Sequence, residues 1–334
     1  MGVDGDDGSG AGRCDRVEMS RHSWTEPPAV RIPVEEEKQW ARPGGRYRAI
    51  LGASMATVAK TAGRPTFIRR ALTEGSAQYL YTHRRLLWRV TRNELRARYA
   101  GAHLGVLWVF VAPLLILVVY AVTYVSILKV RLAGLDSSEY VLFIFSGLVP
   151  YLMAADALVN GVTSVIANKS VLSNTVFPID LAPVKSVLTA QPIMLAGLAV
   201  TILGSLAIGT AKWTMVLLPV IWLMQVIGLI GLCWFLSLLN VIFRDIQNLM
   251  TPVLMMILIA SPFAYTPDIV PASLRPFIVL NPFAYFVVAY QQVLVLGLVP
   301  GIGHMIVIVA LAVVPFVAGS WFFATTKRVI IDYV

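Results

Sequence analysis

Charge is what this chain has least of. Only 13% of its 334 residues are charged, against roughly a quarter in soluble globular domains, while apolar types make up 57% and the mean hydropathy is +0.75. That composition excludes an ordinary soluble enzyme and suits a bilayer as solvent. Cysteine is scarcer still. Cys14 lies in a polar leader and Cys233 in an apolar run, so no disulfide framework is expected. The four histidines (His22, His83, His103, His304) are scattered, which leaves no metal-ligand spacing and no expected metal. No G-x-x-x-x-G-K-S/T phosphate loop occurs, so any ATP that drives this protein must be hydrolysed on another chain. Paired carboxylates on a substantial soluble loop, which a glycosyltransferase would want, are missing too, and no catalytic residue is assigned. The opening residues contain no apolar run of the kind a secretory leader needs, and Asp6 stands where a myristoylation motif requires Ser or Thr.

The charge that is present is concentrated early. Residues 1–100 hold 18 of the 27 Lys and Arg and 11 of the 18 Asp and Glu. Residues 1–75 are rich in Gly, Pro, Glu and Arg without sustained periodicity. They read as a flexible cytoplasmic tail with room for a short helix over Arg46–Ala62. Residues 76–101 differ. Leu80, Leu87, Trp88, Thr91, Leu95 and Tyr99 recur at helical spacing, with Arg84, Arg85, Arg89, Arg92, Arg96 and Arg98 on the other faces. Such a helix can lie at the membrane surface with its guanidinium groups on lipid phosphates. A nucleic-acid reading is weaker, because no nucleic-acid fold accompanies the arginines.

A hydrocarbon core of about 30 Å needs about 20 apolar helical residues. Residues 102–334 supply six such runs: Leu104–Leu128, Tyr140–Ala167 (interrupted by Asp156), Ser186–Ala211, Trp213–Phe243, Ile246–Pro267 and Ile302–Thr326. Phe283–Leu298, bounded by Asn281-Pro282 and Pro300-Gly301, is short for a crossing and reads as a re-entrant element. The Arg-rich helix before the first span and Lys327-Arg328 after the last want the same, cytoplasmic side, which an even count satisfies. With Asp156 the only clear intramembrane carboxylate, an ion-coupled pump is disfavoured. The expected fold is therefore an all-α polytopic membrane protein: six transmembrane helices, an N-terminal amphipathic interface helix, re-entrant gate helices on the extracellular side, and both termini in the cytoplasm.

Four patches carry a family resemblance. Arg98-Tyr99-Ala100-Gly101, Leu104-Gly105-Val106-Leu107-Trp108 and Pro113-Leu114 resemble the R-Y-x-x-S-x-L-G-x-L-W-x-x-x-x-P-L entry to the first span of type-2 ABC-transporter permeases that export bacterial polysaccharides, with Ala102 in place of Ser. Ala167-Asn168-Lys169, Leu172 and Val176-Phe177-Pro178-Ile179-Asp180-Leu181-Ala182-Pro183 resemble that family's loop between spans two and three, with Ser173-Asn174 replacing a basic pair. Phe243-Arg244-Asp245-Ile246 leading to Ser261-Pro262, and Asn281-Pro282-Phe283 leading to Tyr290-Gln291, complete the set over about residues 80–334.

The resemblance implies the permease subunit of an O-antigen, teichoic acid or galactan type exporter in the plasma membrane. It implies a homodimer with a channel at its interface and two copies of a separate ABC ATPase, which would hold the ATP and Mg; this chain itself would need no cofactor. It also implies an ATPase-coupling helix at Lys169, Leu172, Asn174, Val176, Phe177 and Pro178, for which an ordinary capped loop is the alternative. It implies an extracellular gate at Asn281, Pro282, Phe283 and Tyr290. Arg92, Arg96 and Arg98 are the candidates to receive the head group of a lipid-linked polysaccharide. Trp108, Tyr120, Tyr124, Phe263 and Tyr265 are candidates to line a glycan conduit, since pyranose faces are apolar and flat rings bind them weakly at many points. An interfacial aromatic belt or simple helix packing would use the same rings. A drug or small-lipid exporter of the same family is the nearer alternative function; a membrane scaffold or undecaprenyl-sugar enzyme is the farther one.

Overall fold

The computed structural model describes residues 80–331 apart from 131, 133, 169–178, 267–269, 272 and 274, with the side chains of 106 and 327–331 also left out. The tail 1–75, the start of the interface segment and the helix expected over Arg46–Ala62 fall outside the described residues. Every regular element among the described residues is helical. In chain order these are α1 (Arg84–Arg98), α2 (Trp108–Ala121, continued by a π turn over Val122–Ile127), α3 (Ser137–Ala167), α4 (Leu181–Ile208), α5 (Leu218–Ile242, entered through a 3-10 turn at Trp213–Leu217), α6 (Ile246–Ala260), α7 (Arg275–Leu280), α8 (Pro282–Gln291, continued by a π turn over Gln292–Leu296) and α9 (Ile302–Ile331). Five runs are long and apolar enough to cross a membrane: Trp108–Ile127, Ser137–Ala167, Leu181–Ile208, Trp213–Ile242 and Ile302–Thr326. The architecture is that of an all-α polytopic membrane protein.

Local chemistry sets the helix ends. Asp136 and Glu139 form a reciprocal capping box that starts α3, with the Asp136 amide donating to Glu139 at 3.1 Å. Gly209, at φ +77°, closes α4 in the left-handed region that glycine enters without a Cβ clash. Asn281 caps α8 by accepting the Phe283 amide at 2.9 Å, and Pro282 follows at the first helical position, where a missing N–H costs nothing. The fifth expected span, Ile246–Pro267, is shorter than its hydropathy suggests. Ser261 turns extended ahead of Pro262, a residue type that disfavours helix in its predecessor, so α6 has only 15 residues. That is about 22 Å of helix, less than a hydrocarbon core.

The central helix is α3. Ile144, Phe145, Met153, Ala154, Ala157, Val162 and Val165 are all fully buried, and α4, α5 and α8 pack around it. On the far side of α5, α9 comes so close that backbones meet. A Cβ on Gly228 would lie 2.7 Å from the Leu311 carbonyl oxygen, and one on Gly319 would lie 2.8 Å from the Gly231 carbonyl carbon. Small residues are what permit such an approach between apolar helices, where lipid gives no hydrophobic drive to associate.

Contacts also order the two ends of the bundle. At one, here termed lower, the Trp234 indole near the end of α5 donates to the Asp180 carbonyl at the start of α4 (3.0 Å), and Asn240 donates to Val162 O (3.2 Å). At the upper end, Tyr140 near the start of α3 donates its hydroxyl to Ala264 O (2.8 Å). Between these levels, Phe283 meets the ring of Tyr151, midway along α3, edge-on at 5.8 Å. Ten residues later Val293 O accepts from Thr214, back at the upper end (2.6 Å). The chain thus runs from the upper end at Ala264 to mid-depth at Phe283 and back. From Phe283 the chain therefore returns by Val293 to the end from which it came.

Candidate transport and coupling site

The interface helix α1 is held onto the bundle by two ion pairs. Leu87 and Thr91 are buried, and Glu94 and Arg98 continue that face at four- and three-residue spacing. Arg98 forks onto Asp156 of α3, with Nη1 donating to Oδ2 at 2.9 Å and Nη2 to Oδ1 at 2.5 Å. Asn160, one turn along α3, donates to the same carboxylate at 3.1 Å. Hydrogen bonding to Asp156 is the main cause that raises the Arg98 pKa above its ordinary value, against the lowering effect of burial. The second pair joins Glu94 to Lys185 of α4 at 2.9 Å. The lone carboxylate noticed among the spans is therefore the partner of an arginine from the preceding helix.

This geometry divides the expected head-group residues. Arg92 and Arg96 lie on the exposed face of α1, with Arg85 and Arg89 in the same row, opposite the Leu87–Arg98 face. Arg98 has its fork bonded to Asp156, which fastens α1 to α3, while Arg92 and Arg96 stand in the exposed row. Trp88, 68% exposed, flanks that row, an arrangement suited to an interface where a ring meets acyl chains and guanidinium groups meet phosphates.

The aromatic candidates also separate. Tyr120 and Tyr124 stack one turn apart on α2 and its π extension, with centroids 6.1 Å apart. Phe263, just beyond α6, presents its edge to both, at 5.2 and 6.2 Å. Tyr265 is near, donating to Ala260 O at 3.2 Å, and with Ile259, Pro271, Phe277 and Ile278 it lines an apolar cavity of about 430 Å³. Trp108 is not part of this group. It begins α2, twelve residues and about 18 Å of helix from Tyr120.

The expected gate residues are rooted in the core. Asn281 donates to Ser261 Oγ (2.8 Å) and Ile257 O (3.3 Å), which ties the start of α8 to the end of α6. The Tyr290 hydroxyl, fully buried, donates to Gln225 Oε1 of α5 (3.0 Å), and Gln225 donates in turn to Pro150 O of α3 (3.0 Å). Gln291 donates to both Pro262 O and Phe263 O, each at 3.0 Å. With every member bonded, such a network makes the position of α8 specific, because an unpaired polar group would be costly there. Gln225 escaped the sequence reading, since nothing local marks a glutamine inside an apolar run.

The expected coupling residues Lys169, Leu172, Asn174, Val176, Phe177 and Pro178 lie outside the described residues, but both flanks of that loop are placed. Asn168 caps the end of α3 and donates to Ser164 O (2.6 Å). It also accepts from Lys185 at 3.1 Å. Lys185, only 5% exposed, was missed by the sequence reading. Its one signal was a basic residue at the edge of a span in a part of the chain with few. Among the described residues no group of three His, Cys, Asp or Glu side chains is placed to hold a metal.

Residues 85–295, from α1 through α8 and its π continuation, match the ABC-2 type transporter family. The chain belongs to that family. It is similar to an O-antigen export system permease protein RfbA of Myxococcus xanthus, 28% identical over 252 residues that cover 75% of this chain and 95% of that protein. An RfbA permease of Klebsiella pneumoniae is 27% identical over 215 residues, 64% of this chain and 81% of its own length. This ABC-2 family member is thus a multi-pass transporter subunit of the plasma membrane that associates with an ABC ATPase. The match takes in the α1 clamp, the aromatic group and α8 alike.

Proposed function

We propose that this chain is the transmembrane subunit of an exporter that moves a lipid-linked polysaccharide across the plasma membrane, driven by ATP hydrolysed on a separate ATPase chain. The observation that carries this reading is the combined match: the ABC-2 family across residues 85–295 and relatives named as O-antigen export permeases. On this reading the lower end of the bundle is cytoplasmic, and the six traversals are α2, α3, α4, α5, the α6 segment through Phe263, and α9. Both termini then lie in the cytoplasm.

The functional unit is a homodimer. Among the five long spans, the α2 run is the least covered, with 11% of its most apolar 18 residues buried against 78% of the corresponding stretch of α3. On α6 only Met250 and Leu254 are buried, while Leu249, Val253 and Met256 form an exposed row. Tyr120, Tyr124 and Phe263 link the upper ends of these two helices. A second copy seated across α2 and α6 would enclose a conduit whose upper mouth is lined by those rings, with Tyr265 beside it. Trp108 would stand at its lower entrance. Loop 169–178 is the ATPase contact, and Asn281, Pro282, Phe283 and Tyr290 hold the re-entrant gate. Arg92 and Arg96 receive the anionic head group of the lipid carrier at the lower face.

Depletion of the chain tests the function. The expected result is loss of polysaccharide from the cell surface, accumulation of lipid-linked glycan inside, and co-purification of two permease with two ATPase chains. Normal surface glycan in depleted cells, with impaired efflux of a drug or small lipid, would refute the substrate class.

A further inference from the structure

The amino group of Lys185 joins three elements at the lower end of the bundle. It lies in the first turn or so of α4, donates to Glu94 of α1 at 2.9 Å, and donates to Asn168 Oδ1 at the end of α3 at 3.1 Å. Asn168 is itself fixed to the α3 backbone through Ser164 O, and it is the last residue before loop 169–178. The Lys185 side chain is 6% exposed and that of Glu94 51%. The lysine therefore sits inside the bundle and the carboxylate reaches in from its surface. The site is a costly one for a cation. Burial withdraws the ammonium from water, and the N-terminal turn of a helix carries the positive end of the backbone dipole. A leucine would pack there without either penalty. What the ammonium adds is direction: it holds one carboxylate and one amide at fixed positions, and each belongs to a different helix.

A second attachment restricts α1 further. One turn beyond Glu94, Arg98 forks onto Asp156 of α3. Two anchors one turn apart, on α4 and α3, prevent α1 from turning about its own axis. The Arg85, Arg89, Arg92 and Arg96 row is thereby held facing away from the bundle. Asp156 sits twelve residues before Asn168, whereas Lys185 touches Asn168 itself. The Lys185 link thus connects α1 directly to the residue that precedes segment 169–178.

We propose that Lys185 is a positioning residue that binds α1 to the root of loop 169–178, so that a displacement of the loop by the ATPase carries α1 and its arginine row with it. This inference rests on the reading of 169–178 as the ATPase contact. Under it, ATP turnover and movement of the lipid head group are joined by Glu94, Lys185 and Asn168. Loss of the link leaves a complex that hydrolyses ATP without exporting glycan.

The test uses the full chain with its ATPase, in cells lacking the native gene and as the purified complex. Lys185→Met and Glu94→Gln are expected to lower surface polysaccharide at least tenfold, while the ATP turnover of the assembled complex stays within about twofold of wild type. Lys185→Arg, which keeps a cation able to donate to both Glu94 and Asn168, is expected to return export to within about threefold of wild type. If Lys185→Met or Glu94→Gln folds poorly, Lys185→Arg decides: an assembled Lys185→Arg complex that turns over ATP without exporting overturns the proposal. Wild-type export per ATP in Lys185→Met or Glu94→Gln, measured on assembled complexes, overturns it equally, since a purely structural role would lower yield and leave that ratio alone. The underlying reading is examined separately through Leu172→Asp. If that variant retains the ATPase on co-purification, the loop is not the contact, whatever the Lys185 variants do.

Discussion

The seam between α5 and α9 yields the prediction with the most direct geometry. A methyl group at position 319 would overlap the Gly231 carbonyl oxygen and lie 2.8 Å from its carbonyl carbon and 3.1 Å from its Cα. Carbon atoms settle at about 3.5–4.0 Å, so the helices must part by up to about 1 Å. No flexible side chain tip is available to yield, because the opposing atoms are backbone. Overpacking of this kind costs about 1–3 kcal/mol. Separation also loosens the Trp234–Phe316 pair, whose rings stand 5.4 Å apart across the same seam, a contact of about 0.5–1.5 kcal/mol. Gly319→Ala should therefore destabilise by about 2–4 kcal/mol and lower the unfolding temperature by roughly 5–10 °C. Gly303→Ala is the control, since nothing lies within 4 Å of a Cβ there. Unfolding of the purified protein in detergent, followed by tryptophan fluorescence and by loss of the monodisperse peak, reads the difference. A Gly319→Ala protein that melts within about 1 °C of both wild type and Gly303→Ala would refute the close-packed seam.

Three further outcomes are expected. Asp156→Asn should remove one or two charge-assisted bonds to Arg98, about 1.5–3 kcal/mol, and expose the arginines of α1 to trypsin; Asp156→Arg with Arg98→Asp should restore protection. The raised Arg98 pKa means its contribution is fully present below the ordinary guanidinium value and is lost only as pH climbs past the raised one. Deprotonation of Arg98 should thus cause no loss of α1 protection anywhere between about pH 6 and 9, and a fall within that window would contradict the assignment. Tyr290→Phe should cost about 1–3 kcal/mol by leaving the Gln225 carbonyl unpaired, and adding Gln225→Leu should recover part of it in melting experiments. Phe263→Leu should remove two edge contacts to Tyr120 and Tyr124, about 1–3 kcal/mol together, and slow export of glycan measured at the cell surface without reducing ATPase co-purification.

The composition and its ordering along the chain determined the class of this protein: an all-helical membrane chain with an arginine-rich helix ahead of its spans. That much is local. Crossing a bilayer depends on a run of apolar residues, and the breakers Asn281-Pro282 and Pro300-Gly301 are enough to bound a short helical element between them. The boundary that hydropathy misplaced most, the end of α6, was set by backbone chemistry at Ser261-Pro262 that an apolar average does not register. The pairings were decided only in three dimensions. Arg98 and Asp156 stand 58 residues apart and Glu94 and Lys185 stand 91 apart, so each reads alone as a surface cation or a stray buried charge. The same holds for Tyr290 and Gln225, 65 residues apart. In an apolar interior a polar side chain must find a partner, but its own neighbours in the chain do not say which helix will bring one. Tertiary packing made that choice, and it set Arg98 on Asp156 and Glu94 on Lys185 as the two attachments of α1.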